Sequence, residues 1–448
     1  MSKPDAADRT DFAQNNTPER KQFKLEQGEQ IFGWIVVFLL MVLGITCLFL
    51  PAFLYTAVLN LSVVSLVVYG LFNIVLFILH GKTGRAKIMY GVGALAFGIF
   101  LMFNTLLPEW IIRVCFGTYC VAVSASMFIQ AMISHHDHNK VRRSVILFGF
   151  MYGLLGVLLL ATDIVTTQNL IRIFGCYFCL LAIRFGLDLF DRTSSTYEWK
   201  RRVRVSLPTI LATVLPDFAL KSINAHMQTG REYPLDTFKK DQPVKLRAMV
   251  HIGPEGFQKV GHFTFSWKGM VYSYGNYDEE SKRFVTMLGD GVFFNVPAYL
   301  YLPNIVKYEK NTIFEYGIQT TPEQDEMIEK ELEALHNRSF RWYSQIERKG
   351  RRGLEGLEDD YPSRLHYRTG AKFYKIKHGC FKTYWVMGEN CVQFADVILG
   401  RIGADVLSMR GIVTPGAYYD YLESEYTKEK SPVIERRVYS PEALKPGI

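Results

Sequence analysis

Gly388-Glu389-Asn390-Cys391-Val392-Gln393-Phe394-Ala395-Asp396-Val397-Ile398-Leu399-Gly400 reads as a turn that opens a short amphipathic helix. Gly388 and Asn390 suit the turn and the cap, while Val392, Ala395, Ile398 and Leu399 recur at helical spacing as one apolar face. Cys391 therefore falls in the first helical turn, where unpaired N–H groups and the helix dipole favour a thiolate over a thiol. A nucleophilic cysteine is wanted at such a place. A free cysteine is also a small hydrophobe that is often buried, so the same residue reads as core.

Outward from this stretch the chain changes character. Its 448 residues are 49% hydrophobic, and the apolar share is concentrated in residues 31–190. The remainder is rich in Lys, Arg, Glu, Asp and Tyr, so a membrane half and a water-soluble half are expected. Six apolar segments, at about 31–50, 53–79, 88–106, 110–133, 145–161 and 169–190, approach the roughly 20 residues that a helical span needs. The short connections Pro51–Thr56, Asn104–Ile112 and Ala161–Asn169 contain no Lys or Arg, in contrast with four basic regions. Those regions are Arg20, Lys21 and Lys24; Lys82, Arg85 and Lys87; Lys140, Arg142 and Arg143; and Arg192, Lys200, Arg201, Arg202 and Arg204. The positive-inside rule puts all four, and both termini, in the cytoplasm of a multi-pass cell-membrane protein. The net charge of +8 is then accounted for beside the membrane, with anionic lipid as the partner and no nucleic acid.

The remaining boundaries follow. Residues 1–30 are polar and read as a disordered tail. Residues 191–243 are a basic juxtamembrane or docking segment, 244–425 a soluble α+β domain, and 426–448 a C-terminal tail. Within the spans, Arg184 and Asp188 stand four apart and read as a snorkelling pair, with an intramembrane functional role as the rival. His135-His136-Asp137-His138 reads as a solvated turn without the spacing of a known metal site. No metal or cofactor is expected.

The soluble half offers strands at Lys245–Ile252, Gly261–Trp267, Met270–Tyr274, Val292–Val296 and Thr312–Tyr316, with a tight turn at Lys268-Gly269. Thr321-Pro322-Glu323 opens a helix, residues 347–370 read as a long loop, and 372–378 as another strand. In Gly261-His262-Phe263-Thr264-Phe265-Ser266-Trp267, His262 alternates with apolar positions and shares a strand face with Thr264 and Ser266. Such a histidine presented to a helix-start cysteine is the geometry of thiol catalysis, in which it moves the thiol proton. His251 and His378 are rival bases.

Two resemblances accompany these motifs. Gly44, Gly98 and Gly156 each lead a similar span end, 54 and 58 residues apart, as three copies of one helical hairpin. This resembles the HdeD-type six-span family, linked to acid-stress resistance in some bacteria, from which no enzymatic residue carries over. The order Gly261-His262-Phe263, Val271–Tyr277, Thr321-Pro322-Glu323-Gln324 and Glu389-Asn390-Cys391 is similar to the circularly permuted papain-like hydrolases, the NlpC-type superfamily that includes lecithin:retinol acyltransferase. The resemblance implies Cys391 as nucleophile and His262 as base, with Ser273 nearest the third polar position and Asn276 its rival. The fold class expected is thus multidomain: an all-α six-helix transmembrane bundle followed by an α+β permuted papain-like domain.

Seven cysteines, five of them in spans, imply no disulfide framework and fit a reducing compartment. The reading that follows is a membrane-anchored cysteine hydrolase or acyltransferase acting on a lipid acyl ester or amide, or on a peptide or isopeptide bond. Its rival is a non-enzymatic membrane stress or scaffold protein whose soluble domain is a binding module. A homo-oligomer through the membrane helices is the further partner considered. The topology is checked by a reporter fused after Ile448, which should be active only if it is of a cytosolic type. Activity of a periplasmic-type reporter at that position overturns the orientation.

Overall fold

The computed structural model describes residues 20–22, 27–79, 85–104, 106–139, 143–194, 197, 199, 207, 209–228, 235–254, 256–403 and 414–443. After a short strand β1 (Arg20–Gln22), six helices among the described residues are long and apolar enough to cross a membrane, which makes this a multi-pass membrane protein. They are α1 (Gln27–Phe49), α2 (Pro51–Leu79), α3 (Arg85–Phe103), α4 (Leu106–His136), α5 (Arg143–Ala161) and α6 (Thr167–Thr193). Two compact units result. One holds Phe32–Ala125 and Ile146–Gly186; the other holds the rest, including Ser126–Val145 and the chain from Leu187 onward.

In the helical unit the three repeated glycines are the close-packing points. A Cβ on Gly44 of α1 would lie 2.6 Å from Cys179 Sγ on α6. One on Gly98 of α3 would lie 3.2 Å from the Leu66 Cβ on α2, and one on Gly156 of α5 would lie 3.0 Å from the Gly117 oxygen on α4. Each glycine thus sits on the first helix of one hairpin and meets the second helix of another. Backbones approach closely there because no side chain intervenes, the main source of packing energy where lipid removes the hydrophobic drive.

The second unit is built on one ten-stranded sheet. Its elements are α7 (Thr209–Gln228), β2 (Asp236–Phe238), β3 (Leu246–Ile252), β4 (His262–Trp267), β5 (Met270–Gly275), β6 (Leu288–Asp290), β7 (Val292–Pro297), α8 (Ala298–Pro303), β8 (Thr312–Ile318), α9 (Pro322–Asn337), β9 (Ser339–Trp342), α10 (Gln345–Arg348), α11 (Tyr361–Thr369), β10 (Lys372–Ile376), β11 (Thr383–Trp385), α12 (Cys391–Leu399), α13 (Pro415–Tyr426) and β12 (Val433–Tyr439). The strand order is β1-β2-β12-β8-β3-β4-β5-β7-β10-β9, and β6 pairs with β11 apart from it. The chain is thus a helical membrane part followed by a helix-plus-sheet part.

Strand alternation gives the sheet two buried faces. Leu246, Ala248, Val250, Phe263, Phe265, Tyr272 and Tyr274 pack under α9, α12 and α13. Met249, Val271, Phe294, Ile313 and Phe373 pack under α8 and α11. The Lys268-Gly269 turn has φ of +47° and +78°, as a two-residue hairpin requires. Thr321 caps α9: its hydroxyl accepts from the Gln324 N–H at 3.3 Å, and the Gln324 carboxamide accepts from the Thr321 N–H at 2.9 Å.

Several sequence expectations need correction. Within the tail expected at 1–30, Arg20–Gln22 pairs in parallel with β2, and Arg20 is ion-paired with Glu435 and, at 2.5 Å, with Asp241. Residues 1–19 lie outside the described residues. The expected tail 426–448 carries β12, which sits between β2 and β8. Its Glu435 is buried and ion-paired with Arg247 at 2.8 Å, so the strand is held by charge pairs that its sequence cannot advertise. The loop expected at 347–370 contains α11 and follows the short α10. In the 191–243 segment, α7 docks on α13, where a Cβ on Gly416 would lie 1.6 Å from the Ala212 oxygen. It leaves Leu211, Val214 and Phe218 exposed along one stripe.

The snorkelling pair is also corrected. Asp188 accepts from the buried Lys428 at 3.1 Å, so a carboxylate at the end of α6 neutralises an amine of the sheet unit. The expected solvated turn is half right: His135, His136 and His138 are exposed, while Asp137 is buried and accepts from the Thr383 N–H at 3.1 Å.

Because β12 lies between β2 and β8, truncation after Thr427 should strip each of them of its partner on that side and leave Arg247 without Glu435. The expected outcome is loss of the folded sheet unit, read as complete sensitivity of residues 244–427 to limited proteolysis. A protease-resistant fragment of that region in the truncated protein overturns it.

Candidate active site

Cys391 is the first residue of α12, as its sequence position suggested. Asn390 makes the cap: its Oδ1 accepts from the N–H groups of Val392 at 3.0 Å and Gln393 at 3.1 Å, and its Nδ2 donates to the Val386 oxygen at 2.9 Å. The apolar face of α12 rests on the sheet, with the Phe394 ring stacked on Tyr274 at a centroid distance of 4.9 Å. This lays the helix start against the first residues of β4.

That end of β4 has a particular geometry. The β4–β5 ladder runs only from Phe265↔Tyr272 to Trp267↔Met270. Beyond it the strands are not joined rung by rung. The Phe263 backbone is near enough to the Cys391 sulfur there to favour its thiolate, so the thiol sits beside the residue that follows His262.

His262 itself faces away from α12. It shares a sheet face with His251, Thr264 and Ser273, whereas Phe263 and Phe265 face the helix. His262 Nε2 is hydrogen-bonded to Ser273 Oγ at 2.8 Å and to Tyr277 Oη at 3.1 Å, and Ser273 Oγ to Tyr277 Oη at 2.8 Å. The two hydroxyls occupy Nε2, and Nδ1 is the ring nitrogen that they do not take. Cys391 and His262 thus converge only at the strand end, and no direct hydrogen bond joins them among the described residues.

The other named residues sort clearly. Ser273 meets the imidazole. Asn276 does not: its Nδ2 donates to the oxygens of Thr286 at 3.1 Å and Leu288 at 3.2 Å, where it shapes a loop. His251 is buried with Nε2 bonded to Thr264 Oγ1 at 2.8 Å, which satisfies it within the core. His378 is exposed in the loop after β10. Tyr277 was not singled out by itself. Its signal is Gly275, where a Cβ would lie 2.8 Å from the Tyr277 ring, so glycine lets the tyrosine fold back over β5. Glu389 and Gln130 were also missed, and they are treated below. No cluster of metal-ligating side chains occurs among the described residues.

Electrostatics corrects the expected thiolate. Cys391 is 5% exposed, and burial pushes its thiol up to about 11 against the lowering effect of the Phe263 and Val392 N–H groups. Burial likewise pushes His262 down to about 4. Burial holds the hydroxyls of Tyr274, Tyr277 and Tyr384 well above the usual range, and a thiolate at Cys391 would raise them further. At neutral pH the site therefore holds a thiol and a neutral imidazole, with no ion pair.

Alkylation measures this directly, because only the thiolate reacts. With a thiol at about 11, Cys391 carries roughly 300-fold less thiolate at pH 7 than a solvated cysteine near 8.5. Its rate should climb about tenfold per pH unit to near pH 11 instead of levelling near 9, and the half-buried Cys380 should react first at pH 7. A plateau for Cys391 below pH 9 overturns the assignment.

No family model, curated protein or solved structure matches this chain.

Proposed function

We propose that the protein is a membrane-anchored thiol hydrolase or acyltransferase, with Cys391 as nucleophile, His262 as general base and Ser273 as the residue that orients it. The observation that carries this reading is the bond from His262 Nε2 to Ser273 Oγ at 2.8 Å, at the strand end where the Phe263 backbone meets the Cys391 sulfur. A third group on the next strand fixes the ring and leaves Nδ1 for the thiol proton, the arrangement that nucleophile, base and orienting residue need. In the reaction Cys391 sulfur attacks the acyl carbon as its proton passes to His262. The imidazolium then protonates the leaving group, and water or an acceptor alcohol or amine resolves the thioester. The Cys391 N–H, which the Asn390 side chain does not take, is the donor placed for the oxyanion.

Neutral thiol and imidazole fit a general-base mechanism in a closed resting state, and turnover on this reading requires a rearrangement at the strand end that brings sulfur and Nδ1 together. The exposed Leu211, Val214 and Phe218 on α7 favour a lipid acyl ester or amide over a peptide, because such a stripe suits the membrane interface. The basic connections support a site on the cytoplasmic side, and the helical unit is read as HdeD-like. A second reading has a specific observation behind it: the burial of Cys391 fits a binding module with a structural cysteine.

The test is full-length protein in anionic vesicles with fluorogenic acyl esters, acyl amides and peptides. Cys391→Ser should abolish turnover, His262→Ala should lower kcat by about 10²–10⁴-fold, and Ser273→Ala should lower kcat with little change in KM. Turnover by wild type that Cys391→Ser leaves unchanged, or no turnover with any probe, overturns the hydrolase and favours the module.

A further inference from the structure

The loop ahead of Cys391 is held by a residue of the fourth apolar helix. Gln130, in the last two turns of α4, belongs to the sheet unit. Its Oε1 accepts from the Glu389 N–H at 3.2 Å, and its Nε2 donates to a Glu389 carboxylate oxygen at 3.3 Å. One carboxamide thus clamps the backbone and the side chain of one residue. Gly388 is what lets it in, since a Cβ there would lie 1.7 Å from Gln130 Oε1. The second Glu389 oxygen accepts from the Phe381 N–H, and the Glu389 carbonyl accepts from the Trp385 N–H at 3.1 Å. Glu389 stands two residues before Cys391 and next to the cap residue Asn390.

We infer that Gln130 is a positioning residue that holds the Cys391 loop closed through Glu389, so that the end of α4 governs access to the thiol. The clamp joins a half-buried carboxamide to the buried Glu389, and a buried carboxylate that loses a partner leaves that place or takes a proton. Burial already pushes Glu389 up to about 7, with Asp137 adding to the rise and Arg338 opposing it. The ionisable groups around it are Asp137 at the end of α4, Arg338 after α9 and Tyr274 on β5, with Lys382 paired to Asp137 at 3.6 Å. Because α4 continues as a candidate span, a rotation or shift of that helix in the bilayer moves Gln130 and reaches Gly388–Cys391 without any other relay. The inference concerns access to the thiol and holds whether or not Cys391 is catalytic.

The experiment is alkylation of the full-length protein by N-ethylmaleimide in vesicles, with the rate at each cysteine read by mass spectrometry. Gln130→Ala should raise the Cys391 rate at least tenfold over wild type and leave Cys47, on α1, unchanged. Gln130→Glu sets two carboxylates against each other. It should open the loop at pH 8.5 and, by sharing a proton, restore the wild-type rate at pH 6 when each rate is divided by that of wild type at the same pH. A merely structural contact gives no such pH-dependent return. If Gln130→Ala reduces the yield of folded protein, the two pH values for Gln130→Glu still decide. A wild-type Cys391 rate in both variants at both pH values overturns the inference, whatever the outcome of the turnover assay.

Discussion

The two hydrogen bonds from the Val392 and Gln393 N–H groups to Asn390 Oδ1 decide where α12 begins. A cap of this kind is worth about 1 kcal/mol, but its geometric effect is larger than its energy. Moving the start by one residue would rotate Cys391 by about 100° about the helix axis. Its sulfur would then leave the Phe263 backbone, and Phe394 would leave its stack on Tyr274. The aromatic layer of Phe265, Tyr274 and Phe293 around Phe394 opposes that rotation, so cap and core fix the same register.

Two opposing effects act on the thiol in that position. A helix start contributes up to about 1 kcal/mol to an exposed anion, which is less than one pKa unit. Removing the thiolate from water costs more than that, and the net result is a thiol raised to about 11. The helix start thus favours a thiolate, while burial keeps the Cys391 thiol neutral. Reactivity in such a site depends on an opening that admits water or substrate.

The legible and illegible parts of this chain divide along sequence distance. The six apolar helices, the Lys268-Gly269 hairpin, the Thr321 capping box and the Asn390 cap are local features, and each was readable from a few neighbouring residues. β12 was not, because Glu435, Arg436 and Arg437 look solvated until Arg20, Arg247 and Asp236 arrive from elsewhere in the chain. Asp188 was misread for the same reason, its partner Lys428 being 240 residues away. His262 shows a subtler limit. Its alternation with Phe263 was plain, but which of the two faces α12 would cover was not, since both faces of β4 are buried.

The same long-range contacts are internal to the sheet unit, which includes the C-terminal ends of α4 and α6. The end of α6 is held in it through Asp188 and through the Arg192 oxygen, which accepts from the Glu429 N–H at 3.0 Å. The end of α4 is held in it through Gln130, through the buried Asp137 and through the Asp137 oxygen, which accepts from the Gly379 N–H at 2.9 Å. The α6 contacts lie at α13 and the turn before β12, while those of α4 lie at the loop that ends in Cys391. The first set is held by a buried amine between carboxylates, which is costly to break once one partner is removed. The second is held largely by neutral amide groups, each worth about 1 kcal/mol net, together with two buried carboxylates. A firm contact far from the thiol and a softer one beside it thus divide the work within the sheet unit: the Asp188–Lys428 pair fixes the end of α6 beside α13, and the Gln130 clamp is the weaker hold on the loop before Cys391.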